Sequence, residues 1–421
     1  MTMETAAQSR FQAKCHNAVC RACGQRGLLA VLDLGAMPLS DGLLTEAQLH
    51  RKEPRYPLEV AYCPTCSLVQ VLHTVAPEVL FGEDYPYFSS FIDTLMAHSR
   101  DNAMELIASR RLGPDSLVIE LASNDGYLLR NFVGEGIPVL GIDPVGALAD
   151  AAREVGVPTL AEFFTYELAR RLRDKGQRAD VIIANNVLAH VADTNGFVEG
   201  MSILLKDEGV AVIEVPYVRD LIDHCLFDTI YHEHLCYFSV TALNRLFARH
   251  GLHLNDVRRL PIHGGSLRLY LGRWPDVQPA VRTLLGEEKA LHVDRHAYYQ
   301  TFAGRVTAIC RKLLDLLSDL KASGQNIVAY GAAAKGAILL NAVGVRPGMI
   351  DYVVDRNVHK QGRYMPGVHI PIVEPERILR DRPDCVLILP WNFKEEILSQ
   401  QEPYRRLGGK FIIPIPEPVI I

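Results

Sequence analysis

A chain of 421 residues is long enough for two or three domains with substantial cores. Its 48% hydrophobic and 22% charged composition, with a net charge of -5, leaves no basic footprint for nucleic acid or an acidic membrane surface. No apolar run approaches the roughly 20 residues that span a bilayer. Met1 to Lys14 is polar and lacks an apolar signal core, so it reads as a frayed tail on a cytoplasmic chain. Composition sets no oligomeric state, and a monomer is the working expectation.

The first chemistry along the chain is a pair of CxxC elements, Cys20–Cys23 and Cys63–Cys66. A cytosolic chain of this size has no need of disulfides, so paired CxxC elements point to a metal. Four thiolates fill a tetrahedral Zn²⁺ and make a closed, structural site. Gly24 after the first pair and Pro64 within the second suit the tight bends. The 39 residues between the pairs exceed the roughly 15–20 of a short zinc ribbon, so 37–62 reads as an insertion. Cys15 and His16 are competing ligands in principle, but two complete pairs make them unnecessary.

After a connecting region, 77–111, strands and helices alternate. Ser116-Leu-Val-Ile-Glu120-Leu-Ala predicts a buried parallel strand, followed by the turn Ser123-Asn124-Asp125-Gly126 and an apolar helix. Further strands are predicted at 139–143, ending in Asp143, at 180–186, and at 210–216. This alternation gives a doubly wound α/β sheet with its ligand at the carboxyl ends of the strands. GxGxxG is absent, which argues against a dinucleotide. Glu120 ending one strand, a small polar turn with Gly126, and Asp143 ending the next fit S-adenosylmethionine better. Gly126 would allow close backbone approach, Asp143 would accept the two ribose hydroxyls, and Phe163 would wall the adenine. Asn185, Asn186 and His190 follow a strand end and should face the same crevice.

The run Tyr231-His232-Glu233-His234-Leu235-Cys236-Tyr237-Phe238 is too polar for a core and too aromatic for an ordinary loop. An extended run would send His232 and His234 to one side as metal ligands, with His190 as a third. A helical turn would instead bring Tyr231 and His234 together. Proton transfer by an imidazole with a neighbouring acid and phenol is the favoured use.

The last third opens with a helical stretch, 281–323. Asn326-Ile-Val-Ala-Tyr330-Gly331-Ala-Ala-Ala-Lys335-Gly336 then repeats the strand, Gly turn and helix arrangement. Further strands at 351–355 and 384–390, the latter running into Asn392, predict a second, Rossmann-like α/β sheet. Its turn carrying Lys335 is a candidate anion site. The expected domains are therefore 1–75, 76–276 and 277–421.

The CxxC pairs, Glu-Leu-Ala-Ser-Asn-Asp-Gly-Tyr-Leu-Leu (120–129), Asn-Asn-Val-Leu-Ala-His (185–190), Tyr-His-Glu-His-Leu-Cys-Tyr-Phe-Ser (231–239) and His-Gly-Gly-Ser-Leu-Arg (263–268) together resemble the zinc-containing sugar C-methyltransferases. These S-adenosylmethionine-dependent enzymes act on dTDP-linked 4-keto-deoxysugars in antibiotic and polysaccharide biosynthesis. The resemblance implies C-methylation of a carbon beside the ketone through an enediolate, with C-3′ favoured over C-5′. It implies His234 as the base, Tyr231 and Glu233 as its partners, His190 as a second proton-handling group, and Tyr85 reaching into the same pocket. By the same resemblance, His263 and Ser266 belong to a loop over the substrate, and Lys335 and Asn392 to the domain that holds the dTDP part. An O- or N-methyltransferase of a nucleotide sugar, or a non-enzymatic zinc-scaffolded nucleotide-binding protein, would share the scaffold.

Overall fold

Val118–Leu121, buried at all four positions, is an interior strand of a seven-stranded sheet. Val139–Ile142 and then Thr159–Leu160 flank it on one side, both parallel. Ala179–Asn185 and Leu205–Pro216 continue it in parallel on the other. Ser266–Gly272 adds antiparallel to Leu205–Pro216, and His253–Leu260 closes the edge. The chain order reverses between Val118–Leu121 and Ala179–Asn185, which is where such sheets bind ligands. The computed structural model describes residues 3–80 and 87–421, with side chains from residue 9 onward.

Three helices start at side-chain caps. Thr165, Asp193 and Ser239 accept N–H bonds from Leu168, Gly196 and Ala242 at the starts of Tyr166–Asp174, Thr194–Leu204 and Val240–Ala248. Several expectations change. The segment read as a frayed tail is the helix Met3–Asn17, with Cys15 fully buried. The connecting region contains the helix Asp93–Arg110, which buries Leu95, Ala103 and Leu106. The antiparallel pair His253–Leu260 and Ser266–Gly272 had no sequence counterpart, because charged residues break its alternation. The helical stretch after 280 is two helices, Pro279–Ala290 and Phe302–Ala322, separated by a 3₁₀ turn at His296–Tyr299.

An antiparallel four-stranded sheet carries the cysteine pairs. Its order is Leu29–Met37, Tyr56–Tyr62, Val69–Val71 and, from far along the chain, Cys236–Tyr237. The C-terminal sheet runs Ile372–Val373, Val353–Val354, Ile327–Tyr330, Cys385–Ile388, Lys410–Ile413 and Val419–Ile420, with only the last strand antiparallel.

The cores are shared between these units. One apolar cluster joins Leu58, Val60 and Tyr62 of the cysteine-bearing sheet to Phe302, Val306 and the C-terminal sheet. Another joins Cys20, Cys63 and Cys66 to the central sheet. Pro279–Ala290 packs on the central unit, where buried Glu288 accepts from Tyr217 Oη, Val240 N and Thr241 N. No helix among the described residues is long and apolar enough to cross a membrane.

Candidate active site

The four cysteines converge as their spacing predicts. Their sulfurs all lie within 4.8 Å of one another, with Cys20–Cys66 and Cys23–Cys63 each at 3.5 Å. Each pair turns through a left-handed residue, Gly24 at φ +71° and Ser67 at φ +66°. The N–H groups of these two residues donate to the carbonyls of Cys20 and Cys63. A compact, largely buried set of four thiols fits Zn²⁺ in a closed structural site. Neither Cys15 nor His16 belongs to the cluster, and no other group of potential metal ligands occurs among the described residues.

A cavity of about 770 Å³ opens at the switch point of the central sheet and is walled by all three units. Asp143 reaches it from the second strand end. Its Oδ2 accepts from Asn124 N and its Oδ1 from Val145 N, both at 2.9 Å, which orients the carboxylate and leaves lone pairs for hydroxyls. Burial raises its pKa to about 6. Asn185 and Asn186 line the cavity, each with a buried Oδ1 that has no hydrogen-bond partner. Phe163, 39% exposed, stands at the mouth, while Phe164 is spent against Phe197. An acid, two orphaned amide oxygens and an open ring suit a cationic nucleoside such as S-adenosylmethionine.

Other members of the predicted cofactor set are placed differently. Glu120, Ser123, Asp125 and Gly126 do not line the cavity. Gly126 sits at φ +77°, and a Cβ there would meet Val157 and Ala152 at 3.1–3.2 Å. Its role is therefore close packing of the turn on the helix Gly146–Glu154 and the residues just after it. Asn124 lines the cavity, but its side chain is bonded to Ser89 N and Tyr87 O, and Asp125 Oδ2 accepts from Ser90 N. These two residues hold 87–90 against the sheet, since the left-handed Asn124 (φ +50°) directs the turn toward that segment.

The 231–235 segment is a turn, and it separates the two histidines. His232 is buried, with Nε2 3.2 Å from Tyr56 O. His234 stacks on Tyr231 with ring centres 4.0 Å apart. Its Nδ1 lies 2.8 Å from Thr229 O and its Nε2 3.0 Å from Tyr231 Oη. A carbonyl only accepts, so Nδ1 carries the proton and Nε2 offers a lone pair. Burial lowers the His234 pKa to about 4, keeping the ring neutral. His190 lies edge-on at 4.7 Å, and its pKa is held well down by burial and by His234. The two imidazoles shared by a catalytic metal in the rival reading thus point to different partners.

Glu233 is 2% exposed, accepts from Ser40 Oγ at 2.9 Å, and lines the cavity with Asp41. Burial first, and Asp41 second, push its pKa up to about 8. Ser40 and Asp41 come from the segment between the cysteine pairs, where nothing in the sequence singled them out. Thr229, Asp355 and Lys360 were likewise missed. Only Asp355 left a signal, an acid ending a strand.

His263 lines the cavity in a left-handed conformation (φ +57°), edge-on to Phe393. Ser266 does not line it: its hydroxyl is buried and donates to Ile262 O, because the residue already belongs to the antiparallel strand. Lys335 and Asn392 line the C-terminal wall, with Lys335 Nζ 2.7 Å from Asn392 Oδ1. Tyr85 lies outside the described residues.

Residues 20–81 match a zinc binding domain, 94–257 a methyltransferase domain and 261–416 a C-methyltransferase C-terminal domain. The C-methyltransferase NovU of Streptomyces niveus is 35% identical over 405 residues, 96% of each chain. The ubiquinone biosynthesis O-methyltransferase of Bartonella quintana is 27% identical over 97 residues, 23% of this chain and 39% of that protein. Magnesium protoporphyrin IX methyltransferase from Synechocystis, solved with bound S-adenosylmethionine, covers 47% of this chain and 89% of its own at 15% identity and TM-score 0.34. Sheet, cavity and cysteine cluster thus define a zinc-containing, S-adenosylmethionine-dependent methyltransferase. The chain belongs to the C-methyltransferase family.

If Asp143 holds the ribose, Asp143→Ala weakens S-adenosylmethionine binding by about 10- to 100-fold, the effect of losing a hydrogen bond to a charged group. Calorimetric titration of the zinc-loaded protein measures this directly.

Proposed function

We propose that the protein methylates the carbon beside the ketone, C-3′, of a dTDP-linked 4-keto-deoxysugar, in deoxysugar and antibiotic biosynthesis. The observation that carries the reading is His234: a neutral imidazole with a defined lone pair in a cavity shared by all three units. An O- or N-acceptor already has a nucleophilic atom, whereas a sugar carbon must first lose a proton. A keto group at C-4′ makes the C-3′ hydrogen acidic enough for a side-chain base.

In this reading His234 Nε2 takes the C-3′ proton, and the C–H electron pair moves into an enolate with its charge on the C-4′ oxygen. Tyr231, hydrogen-bonded to Nε2 in the free protein, turns its hydroxyl to that oxygen when the substrate carbon takes its place. Glu233, protonated near neutrality, donates to the same oxygen or to the neighbouring hydroxyl. His190 shapes the pocket beside the reacting carbon. When bound, S-adenosylmethionine supplies an electrophilic methyl group on a cationic sulfur.

The C-terminal unit, 277–421, takes the nucleotide. Two features support this. The helix Ala334–Val343 points its N-terminus and Lys335 at the cavity, as an anion site does. Asp355 also repeats the geometry of Asp143: its Oδ2 accepts from Ala332 N in the turn after the first strand, and its Oδ1 from Asn357 N two residues on. An acid held in this way is suited to a sugar hydroxyl. Gly331 has a packing task instead, because a Cβ there would strike Pro390 at 2.5 Å.

The test is incubation with dTDP-4-keto-deoxysugars and ¹³C-methyl S-adenosylmethionine, followed by NMR of the product. A new methyl on a quaternary C-3′, with the C-3′ hydrogen lost to solvent, supports the reading. A methyl on oxygen or nitrogen overturns it.

The pH profile adds a second check. Protonation of His234 removes the base, so kcat falls as pH drops through about 4. Ionisation of Glu233 replaces a donor by an anion next to a developing oxyanion, so kcat falls as pH rises through about 8. Glu233→Gln keeps a donor and should abolish the alkaline limb alone.

A further inference from the structure

Pro390-Trp391-Asn392 ends a C-terminal strand, and its tryptophan is buried without a role in the reaction described above. The indole Nε1 donates to Asp228 Oδ2 at 2.7 Å. Asp228 is fully buried and its Oδ1 has no hydrogen-bond partner, so among the described residues Trp391 is the one side chain that donates to this carboxylate. Asp228 is the middle residue of the short 3₁₀ turn Phe227–Thr229, closed by Ile230 N donating to Phe227 O at 3.0 Å. The next carbonyl in that turn, Thr229 O, receives Nδ1–H of His234.

We infer that Trp391 and Asp228 are positioning residues, through which the C-terminal unit fixes the ring orientation and tautomer of His234. A three-residue turn has little slack, so displacing Asp228 moves the Thr229 carbonyl. That carbonyl alone defines which imidazole nitrogen keeps its proton. A buried carboxylate deprived of its donor either moves toward solvent or takes up a proton, and either response disturbs the turn. Lys335 extends the linkage to the cavity, since its ammonium lies 4.8 Å over the Trp391 ring and bonds to Asn392. The domain proposed to hold the nucleotide therefore also sets the base. This inference rests on the reading of His234 as that base.

The test compares Trp391→Phe with Asp228→Asn in the zinc-loaded full chain. Trp391→Phe keeps the ring over which Lys335 sits but loses the donor. Asp228→Asn keeps an acceptor. In ¹⁵N-histidine NMR, with His234 assigned by its loss in His234→Asn, the parent protein should show a single tautomer protonated at Nδ1. Trp391→Phe should show exchange between the two tautomers. Its kcat should fall by about 10- to 100-fold, as when an imidazole's orienting partner is removed, with KM within about threefold of the parent value. Asp228→Asn should retain most of kcat and the parent tautomer. An unchanged tautomer in Trp391→Phe, or a rise in KM with kcat intact, overturns the inference, the latter marking Trp391 as a nucleotide contact. The NMR arm needs no substrate, so it decides the positioning claim even if the sugar assignment fails.

Discussion

His234→Asn should reduce kcat by about 10²- to 10⁴-fold, the range for loss of a general base, while S-adenosylmethionine affinity stays within about twofold. The split follows from the layout of the cavity. Asp143, Asn185 and Phe163 belong to the strand ends of the central sheet, whereas His234 sits on the turn that crosses from that sheet to the zinc-bearing one. Asparagine retains a group able to donate to Thr229 O, so the turn survives, but it has no lone pair of comparable basicity. Single-turnover methylation and a separate cofactor titration resolve the two quantities. Retention of more than a third of the parent rate would pass the role to His190 or Tyr231. Tyr231→Phe then becomes informative, since it leaves Nε2 unbonded in the free protein and removes a donor from the oxyanion.

Loss of the zinc site should be comparably severe, through structure instead of chemistry. Structural zinc sites contribute apparent binding energies of about 10–16 kcal/mol, much of it folding energy. Here the energy reaches the active site along a short path. Arg21, between Cys20 and Cys23, donates its N–H to Gln70 Oε1 at 2.9 Å. Gln70 pairs with Cys236 in the sheet, and Val71 N donates to Leu235 O at 2.9 Å. Leu235 N in turn donates to Ala189 O at 2.7 Å, beside His190. His190 and His234 thus rest on a strand pairing that exists only if the cysteine-bearing sheet is formed. Cys63→Ser, or removal of zinc by a strong chelator, should bring methylation to background and lower the thermal transition. Tryptophan fluorescence and a zinc-release dye follow the two events in parallel. A zinc-free protein with normal turnover would show that the strand pairing stands without the metal.

Much of this architecture could be read residue by residue. The CxxC pairs predict a metal because two residues between thiols suit one turn around a tetrahedral ion, and the structure brings all four together. Asp143 was legible because an acid ending the second strand of a doubly wound sheet has few alternatives. Glu120, Asp125 and Gly126 looked equivalent in pattern. They differ because a left-handed Asn124 turns the loop toward 87–90, a decision made by contacts with a segment more than thirty residues earlier. Ser266 was displaced for a similar reason, being enrolled in an antiparallel strand whose partner is Leu205–Pro216.

Local groupings, then, could be recognised from short spacings: four thiols that converge as a metal set, an acid at a strand end that reaches the cavity, and an imidazole stacked beside a phenol. Residue types at close spacing carry their reactivity wherever the chain takes them. The division of labour within those motifs depended on long-range packing. His232 and His234 are two residues apart, yet one meets the Tyr56 carbonyl and the other the Thr229 carbonyl. Ser40 and Asp41 reach Glu233 from almost two hundred residues away, and Trp391 reaches Asp228 from the C-terminal sheet. A hydrogen bond acts over about 3 Å, so which groups share it is decided by how three sheets meet around one cavity.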